Sequence, residues 1–209
     1  MRIKIFMLCV SCMLAVTQVK AQWVVADPGN LAQGIINATK NIVHTSSTAS
    51  NMLNNFKEVQ KVYNQGKDYY DALKAVNNLV KDARKVQKTI LMVGDITDIY
   101  VRNFERMLTD DNFTVEELAA IAGGYTKLLN ESDDVLQELK GVVNASTLSL
   151  SDKERMEVID DVYSRMLEYR NLTKYFTQKS ISVSYIRAKE KNDMERVLSL
   201  YGNPSERYW

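Results

Sequence analysis

Apolar residues recur at every third or fourth position along residues 45–93, and most of the positions between them are polar. The apolar positions are Met52, Phe56, Val59, Tyr63, Gly66, Tyr70, Leu73, Val76, Val80, Ala83, Val86, Ile90 and Val93. This spacing is typical of an amphipathic helix whose narrow apolar stripe packs against other helices. Together with a shorter helical pattern before it, the spacing predicts one long helix over about residues 30–93. Residues 45–93 alone would form a rod about 70 Å long.

Glycines stand at two informative points of this pattern. Gly66 falls in the middle of the predicted rod, where either a close helix crossing or a kink would explain it. Gly94 follows the last apolar position, and Gly94-Asp95 is expected to end the rod. The residues after it, about 95–125, are expected to form a small helical appendage at one end of the molecule.

Two capping boxes predict where the later helices begin. In Thr114-Val115-Glu116-Glu117 and in Ser151-Asp152-Lys153-Glu154, a hydroxyl and a glutamate three residues later can satisfy each other's backbone N–H groups. The helices that they start are expected over about 114–143 and 151–201. Gly123-Gly124 within the first of these helices indicates a bend or a close contact. Period-two alternation over residues 180–185 leaves a short strand as a minor alternative.

These helical groups have comparable lengths and short connections, which is typical of antiparallel bundles. The chain has only 2 prolines and 8 glycines, and this scarcity of helix breakers also favours long helices. We therefore predict an all-α fold: an elongated antiparallel helical bundle with coiled-coil-like long helices and the small appendage. The bundle domain is expected over residues 22–205, with a tail at 206–209.

Residues 1–21 have the features of a secretory signal peptide. Arg2 and Lys4 precede an apolar run over residues 5–16, and Val19 and Ala21 suit cleavage before Gln22. Lipoprotein processing at Cys12 is the alternative. The run is short for a membrane span, and no other segment contains enough consecutive apolar residues for one. We expect an exported protein in the periplasm, at the outer membrane or on the cell surface, with no transmembrane span after cleavage.

Cleavage would change both the cysteine content and the charge. Both cysteines of the sequence, Cys9 and Cys12, lie within the predicted signal peptide, so the remaining chain could form no disulfide and offer no thiolate. Three of the 27 basic residues and none of the 26 acidic residues precede the cleavage site, which leaves a formal charge of −2. This balance argues against direct nucleic-acid binding by the chain as a whole.

The residues that could carry chemistry are scattered. His44 is the only histidine, so no site with several histidine ligands can form, and a surface or groove position is expected for it. The acidic pairs Asp110-Asp111, Asp133-Asp134 and Asp160-Asp161 are expected to be solvated, because adjacent carboxylates in a loop or a helix point in different directions. We find no catalytic constellation, cofactor motif or metal site, and we expect a protein that is not an enzyme.

Three further patterns have a structural and a functional interpretation. Basic residues cluster at 81–88 and again in Arg187, Lys189, Lys191 and Arg196. They suggest either contact with DNA or anionic lipid, or solvated flanks that pair with acids on neighbouring helices, and we favour the second. Asn112-Phe113-Thr114 fits the N-glycosylation pattern by chance. Tyr208-Trp209 at the C-terminus favours packing or partner contact over an outer-membrane barrel signal, because no alternating strand precedes it.

The N-terminal segment QWVVADPGNLAQ (residues 22–33) is similar to the start of conjugation proteins of the TrbJ type. Further segments resemble the TraI family of Bacteroidetes conjugative transposons: residues 62–70, 75–86, 127–132, 151–156 and 182–185. The resemblance covers nearly all of the chain after the signal peptide. It implies an exported helical component of a type IV secretion and conjugation apparatus, and it supplies no catalytic residues.

From this resemblance we expect a structural part of the apparatus, such as a minor pilus or pilus-tip subunit, whose partners are other conjugation proteins. The residues expected to contact partners are Trp23, Asp27, Pro28, Tyr208 and Trp209. A periplasmic chaperone or adaptor for assembly of the mating channel is the alternative, and homo-oligomer formation stays open. A wall hydrolase would need paired carboxylates in a polar cleft, which the sequence does not indicate.

Overall fold

The computed structural model describes residues 46–75, 83–143 and 151–203. These residues form five helices and no strand: α1 (Ser46–Ala75), α2 (Ala83–Leu108), α3 (Val115–Val143), α4 (Asp152–Lys191) and α5 (Met194–Tyr201). The four long helices pack into a bundle around one apolar core, and α5 packs on α4. The predicted all-α helical bundle is confirmed.

The contacts between helices set their directions. Phe56 of α1 lies against Phe104 of α2, whereas Gly66 lies near Val93, so α1 and α2 are antiparallel. On α3 and α4, Tyr125 meets Thr177 and Glu138 meets Arg165, so this pair is also antiparallel.

Helices α2 and α4 run side by side in the same direction. Lys85 pairs with Asp160 and Asp95 pairs with Arg170, in both cases 75 residues apart in the sequence. The equal separation shows that the two helices keep one register between these two contacts.

The single long helix predicted over residues 30–93 is wrong within the described part of the chain. Residues 46–75 and 83–93 belong to two antiparallel helices, α1 and α2, which carry the same three/four spacing and therefore look continuous in sequence. The predicted end at Gly94 is also wrong, because Gly94 is buried inside α2 and the helix continues to Leu108. A glycine costs a helix only about 1 kcal/mol, and the packing around it outweighs that cost.

The residues assigned to a separate appendage, 95–125, belong instead to α2, the following turn and α3. Their large side chains lie in the centre of the bundle: Tyr100 and Phe104 are fully buried, and Tyr125 is 1% exposed. This segment is therefore part of the main core.

An aromatic layer explains one of the glycines, Gly124. Phe56, Tyr100, Phe104, Tyr125 and Phe176 form a layer across the four long helices. Gly124 gives room to the Phe176 ring, since a Cβ at position 124 would lie 2.5 Å from Cζ of that ring. The close-contact interpretation of Gly124 is thus confirmed. At Gly66 an added Cβ would lie 3.6 Å from Val93 Cγ1, which is ordinary packing distance, and α1 continues through it without a break.

Both predicted capping boxes are present. The Glu117 N–H donates to Thr114 Oγ1 at 3.2 Å, and the Thr114 N–H donates to Glu117 Oε2 at 2.9 Å. Ser151 and Glu154 make the same reciprocal pair at the start of α4.

The helix predicted over 151–201 is divided in two, because Asn192 adopts a left-handed conformation (φ 56°) between α4 and α5. Asparagine tolerates this conformation better than most residues. Residues 180–185 lie inside α4, so the strand alternative is wrong. No helix in the described ranges is long and apolar enough to cross a membrane.

Candidate partner-binding surface

A buried carboxylate anchors the turn between α2 and α3. Asp110 Oδ1 accepts hydrogen bonds from the Asn112 backbone N–H at 3.1 Å and from Arg196 Nη1 at 3.2 Å. Its Oδ2 accepts from Ser184 Oγ at 2.5 Å and from Tyr201 Oη at 2.9 Å. We call these five residues the Asp110 cluster. It joins the turn to α4 and α5 at one end of the bundle.

The hydrogen bonding of the Asp110 cluster is typical of a structural role. A carboxylate offers about four acceptor positions, and four donors occupy those of Asp110. The Arg196 guanidinium offsets the cost of burying the charge. Burial, and then the charge of Asp110, raise the pKa of the Tyr201 hydroxyl, which therefore stays protonated as a donor.

The expectation that Asp110-Asp111 is a solvated pair is wrong for Asp110 and correct for Asp111, which is exposed. The Asp110 carboxylate accepts from the backbone N–H two residues later, which forms an Asx turn. An aspartate in a predicted loop is a local signal for such a turn. The partners on α4 and α5 are 74 to 91 residues away, and no local signal points to them.

Beside this cluster, Arg187 of α4 makes a two-pronged contact with Glu117 of α3. Arg187 Nη1 and Nη2 lie 2.8 and 2.6 Å from the two carboxylate oxygens, and Nη1 also donates to the Asn112 carbonyl at 2.6 Å. The hydrogen bond from Arg187, followed by that from the Thr114 backbone, lowers the pKa of Glu117 to about 2. This contact ties the start of α3 to α4 over a wide pH range.

Asn112, the asparagine of the glycosylation pattern, is buried at 3% exposure. Its amide nitrogen donates to Ser184 Oγ at 3.2 Å, and its side-chain oxygen accepts from Lys191 Nζ at 3.0 Å. The pattern is therefore a chance match in the folded protein.

The basic residues of the two clusters contact neighbouring elements. Lys85 pairs with Asp160 of α4, Arg187 with Glu117 of α3, and Arg196 with Asp110 and Asp193. For these residues, the interpretation as flanks that pair with nearby acids is confirmed. Of the first cluster, only residues 83–88 lie within the described ranges.

Exposed large apolar side chains are concentrated on α4 and α5. Within the described ranges, the large apolar side chains that are exposed all lie on α4 and α5: Leu167, Leu172, Tyr175, Val183, Ile186 and Leu198. Single exposed apolar residues are common on protein surfaces, whereas several on one helix face point to an interaction site. The sequence pattern did not separate these residues from the core positions of α4, because both sets follow helical spacing.

Seven residues of α4 lie along one exposed strip of the helix, which we call the outer α4 stripe. Its members are Glu168, Leu172, Tyr175, Lys179, Val183, Ile186 and Glu190. Successive members are separated by four, three, four, four, three and four residues, the spacing that keeps side chains on one helix face. Ile186 and Tyr175 are 61% and 58% exposed, although both are large and apolar. At 1.5 Å per residue the stripe is about 33 Å long.

The residues expected to contact partners from sequence lie outside the described ranges: Trp23, Asp27, Pro28, Tyr208 and Trp209. The same holds for the predicted signal peptide, His44 and the tail. The described part of the chain contains no group of three or more His, Cys, Asp or Glu residues arranged to hold a metal ion. Among the described residues, the outer α4 stripe is the candidate partner-binding surface.

Comparison with known families gives one match. Residues 4–56 match the model of a family described as Domain of unknown function (DUF4141). The matched segment covers residues 4–21 of the predicted signal peptide and ends within α1. No curated protein and no solved structure matches the chain.

Proposed function

We propose that this chain is an exported structural component of a conjugative type IV secretion apparatus, in the role of a minor pilus or pilus-tip subunit. Its mechanism would be assembly: the bundle serves as a rigid body, and its exposed surfaces bind other proteins of the apparatus. The proposed partners are therefore other conjugation proteins.

Two features of the sequence support the cellular context. Residues 1–21 have the charged start, apolar run and small residues of a signal peptide. Segments throughout the rest of the chain resemble the TraI family of conjugative transposons, and a match to a domain of unknown function over residues 4–56 is compatible with such a protein.

The observation that carries the assembly role is the outer α4 stripe. The bundle buries its aromatic layer and neutralises Asp110 internally, yet it leaves Leu172, Tyr175, Val183 and Ile186 in solvent. Keeping such residues exposed lowers solubility and returns no folding free energy, so a binding role explains them better than a role in stability.

A periplasmic chaperone or adaptor would use the same surface without entering the pilus. The two roles differ in where the protein is found. A subunit of the pilus should be recovered with appendages sheared from donor cells, whereas an adaptor should remain in the soluble periplasmic fraction.

The test is the frequency of DNA transfer from a donor that carries an in-frame deletion of the gene. We expect transfer to fall strongly and to return when the gene is restored in trans. Restoration with a Leu172→Ser, Ile186→Ser variant should fail, whereas a matched Lys127→Ser, Asn130→Ser variant on the exposed side of α3 should succeed. Immunoblots would check that both variants reach normal protein levels, and circular dichroism of the purified variants would check that they are folded. Unchanged transfer in the deletion strain would contradict the proposal.

A further inference from the structure

The charges of the outer α4 stripe follow a fixed order. Glu168, Lys179 and Glu190 are 11 residues apart, which is close to three helical turns, and two apolar side chains stand between each neighbouring pair. The stripe therefore carries acid, two apolar residues, base, two apolar residues and acid. The order is the same in either direction along the helix.

These three charges are available for contact with another molecule. All three residues are exposed, and none of the ion pairs found among the described residues includes them. Lys179 Nζ lies 5.3 Å from the centre of the Tyr175 ring, so the ammonium group stays next to the apolar positions. A partner that covers the apolar residues must therefore also meet these charges.

The stripes of two copies of this chain do not fit each other face to face. In an antiparallel pairing centred on Lys179, Lys179 would face Lys179 of the other copy, and Glu168 would face Glu190. In a parallel pairing each charge would face its own equivalent. If the antiparallel pairing is shifted by 11 residues, Glu168 of each copy faces Lys179 of the other. This shift leaves Val183 and Ile186 of both copies uncovered. Like charges placed opposite each other in a helix pair oppose association.

The segment of this chain that precedes α1 does not fit either. Residues 28–57 contain no acidic residue, and Asp27 is the only acid between Gln22 and that segment. A helix formed from the apolar pattern of residues 31–43 would therefore place no carboxylate opposite Lys179. Neither a second stripe nor this segment supplies the complementary charges, which favours an occupant from a different protein.

We infer that the outer α4 stripe binds an amphipathic helix of another protein, one that carries an acid at its centre and a base about three turns to either side. Its apolar face would cover Leu172, Tyr175, Val183 and Ile186, its central carboxylate would meet Lys179, and its basic residues would meet Glu168 and Glu190. This inference specifies the partner chemistry for the proposed assembly role and rests on that role for its biological context.

Two designed helical peptides test the charge rule in vitro. Both peptides repeat the spacing of the outer α4 stripe, with leucines at its four apolar positions and charged residues at its first, middle and last positions. One has the charge order base, acid, base, and the other has acid, base, acid with an otherwise identical sequence. Binding of each to residues 22–209 would be measured by fluorescence anisotropy at low and high salt. We expect the base, acid, base peptide to bind roughly tenfold more tightly at low salt, with a smaller difference at high salt.

Reversing the charges on the protein should reverse the preference. In the Glu168→Lys, Lys179→Glu, Glu190→Lys variant, the acid, base, acid peptide should bind more tightly, whereas Lys127→Glu on α3 should keep the original preference. Circular dichroism confirms that each variant is folded. Equal binding of the two peptides, binding of neither, or a preference that the triple variant leaves unchanged would overturn the inference. A dimer of the wild-type protein that Ile186→Glu disrupts would also overturn it, by assigning the stripe to a second copy.

The transfer assay separates this inference from the proposed function. If the peptide preference reverses as expected while deletion of the gene leaves DNA transfer unchanged, the surface assignment stands and the conjugation role fails. If deletion abolishes transfer but the protein binds both peptides equally, the conjugation role stands and the surface assignment fails.

Discussion

The ring of Tyr125 is stacked on the ring of Tyr100, with centroids 4.3 Å apart and planes 11° from parallel. Tyr125 also meets Phe176 edge to face at 5.0 Å, and its hydroxyl lies 2.6 Å from Thr177 Oγ1. Aromatic pairs in these geometries contribute about 0.5–1.5 kcal/mol each beyond the area that they bury. The layer therefore fixes α2, α3 and α4 at one level of the bundle.

Gly124→Ala should destabilise the protein, because the new Cβ would lie 2.5 Å from Phe176 Cζ and displace a ring that contacts Tyr125. Gly123→Ala is the matched control, since a Cβ there meets nothing within 4 Å. Both changes gain similar helix propensity, so the difference between them isolates the clash. We expect Gly124→Ala to be less stable than Gly123→Ala by about 1–3 kcal/mol in urea unfolding. Equal stability would contradict the close contact.

Asp110→Asn should destabilise the protein by about 2–3 kcal/mol, because the amide loses the charge that Arg196 neutralises and cannot accept from all four donors. Asp111→Asn changes the same functional group on an exposed side chain and should stay within about 0.5 kcal/mol of the wild type. Thermal and urea unfolding of the two variants would measure this. A small effect of Asp110→Asn would show that the Asp110 cluster contributes little to the free energy of unfolding.

Tyr201→Phe should cost about 1–2 kcal/mol, since it removes the donor 2.9 Å from Asp110 Oδ2 and leaves that buried oxygen with one donor fewer. Tyr69→Phe is the comparison: burial raises the pKa of Tyr69 to about 12, and its hydroxyl has no hydrogen-bond partner among the described residues. Its removal should be neutral or slightly stabilising. Urea unfolding curves that show equal losses for both variants would rule out a special role for the Tyr201 hydroxyl.

The contribution of Glu117 should depend on pH. Its pKa is lowered to about 2 in the folded protein, so the stability that it contributes is complete above about pH 5 and disappears as the pH falls towards 2. Glu117→Gln should therefore be less stable than the wild type at pH 7, by about 1 kcal/mol or less because the pair is partly exposed, and the difference should vanish near pH 2. Unfolding free energies at intervals from pH 7 to pH 2 would show this. The loss of stability caused by the adjacent Glu116→Gln substitution should change much less with pH. The same pH trend at both positions would exclude the Arg187 contact as the cause of the trend.

Local signals in the sequence predicted local structure well. The three/four apolar spacing predicted helices, and the capping boxes at Thr114 and Ser151 predicted the starts of α3 and α4, because each box spans only four residues. The close contact at Gly124 was one of two interpretations, and only the position of Phe176 decided between them.

Features that depend on distant partners could not be predicted. No proline or glycine lies between Ala75 and Ala83, so nothing in the pattern separated α1 from α2. Asp110 looked like half of a solvated pair because Ser184 and Tyr201 become its neighbours only through packing. The outer α4 stripe could not be recognised from sequence, because α4 carries apolar residues on both its buried and its exposed faces. Only packing determines which of these faces is buried.

Contacting residues of α2 and α4 are 75 residues apart in the sequence, so during synthesis each α2 residue emerges well before its α4 partner. At about 5–20 residues per second, α2 emerges from the ribosome roughly 4–15 s before the parts of α4 that cover it. During that interval α1, α2 and α3 have no fourth helix, and Asp110 has neither Ser184 nor Arg196. During synthesis, the apolar surface of α2 that α4 later covers is therefore exposed for several seconds before its final packing partner exists.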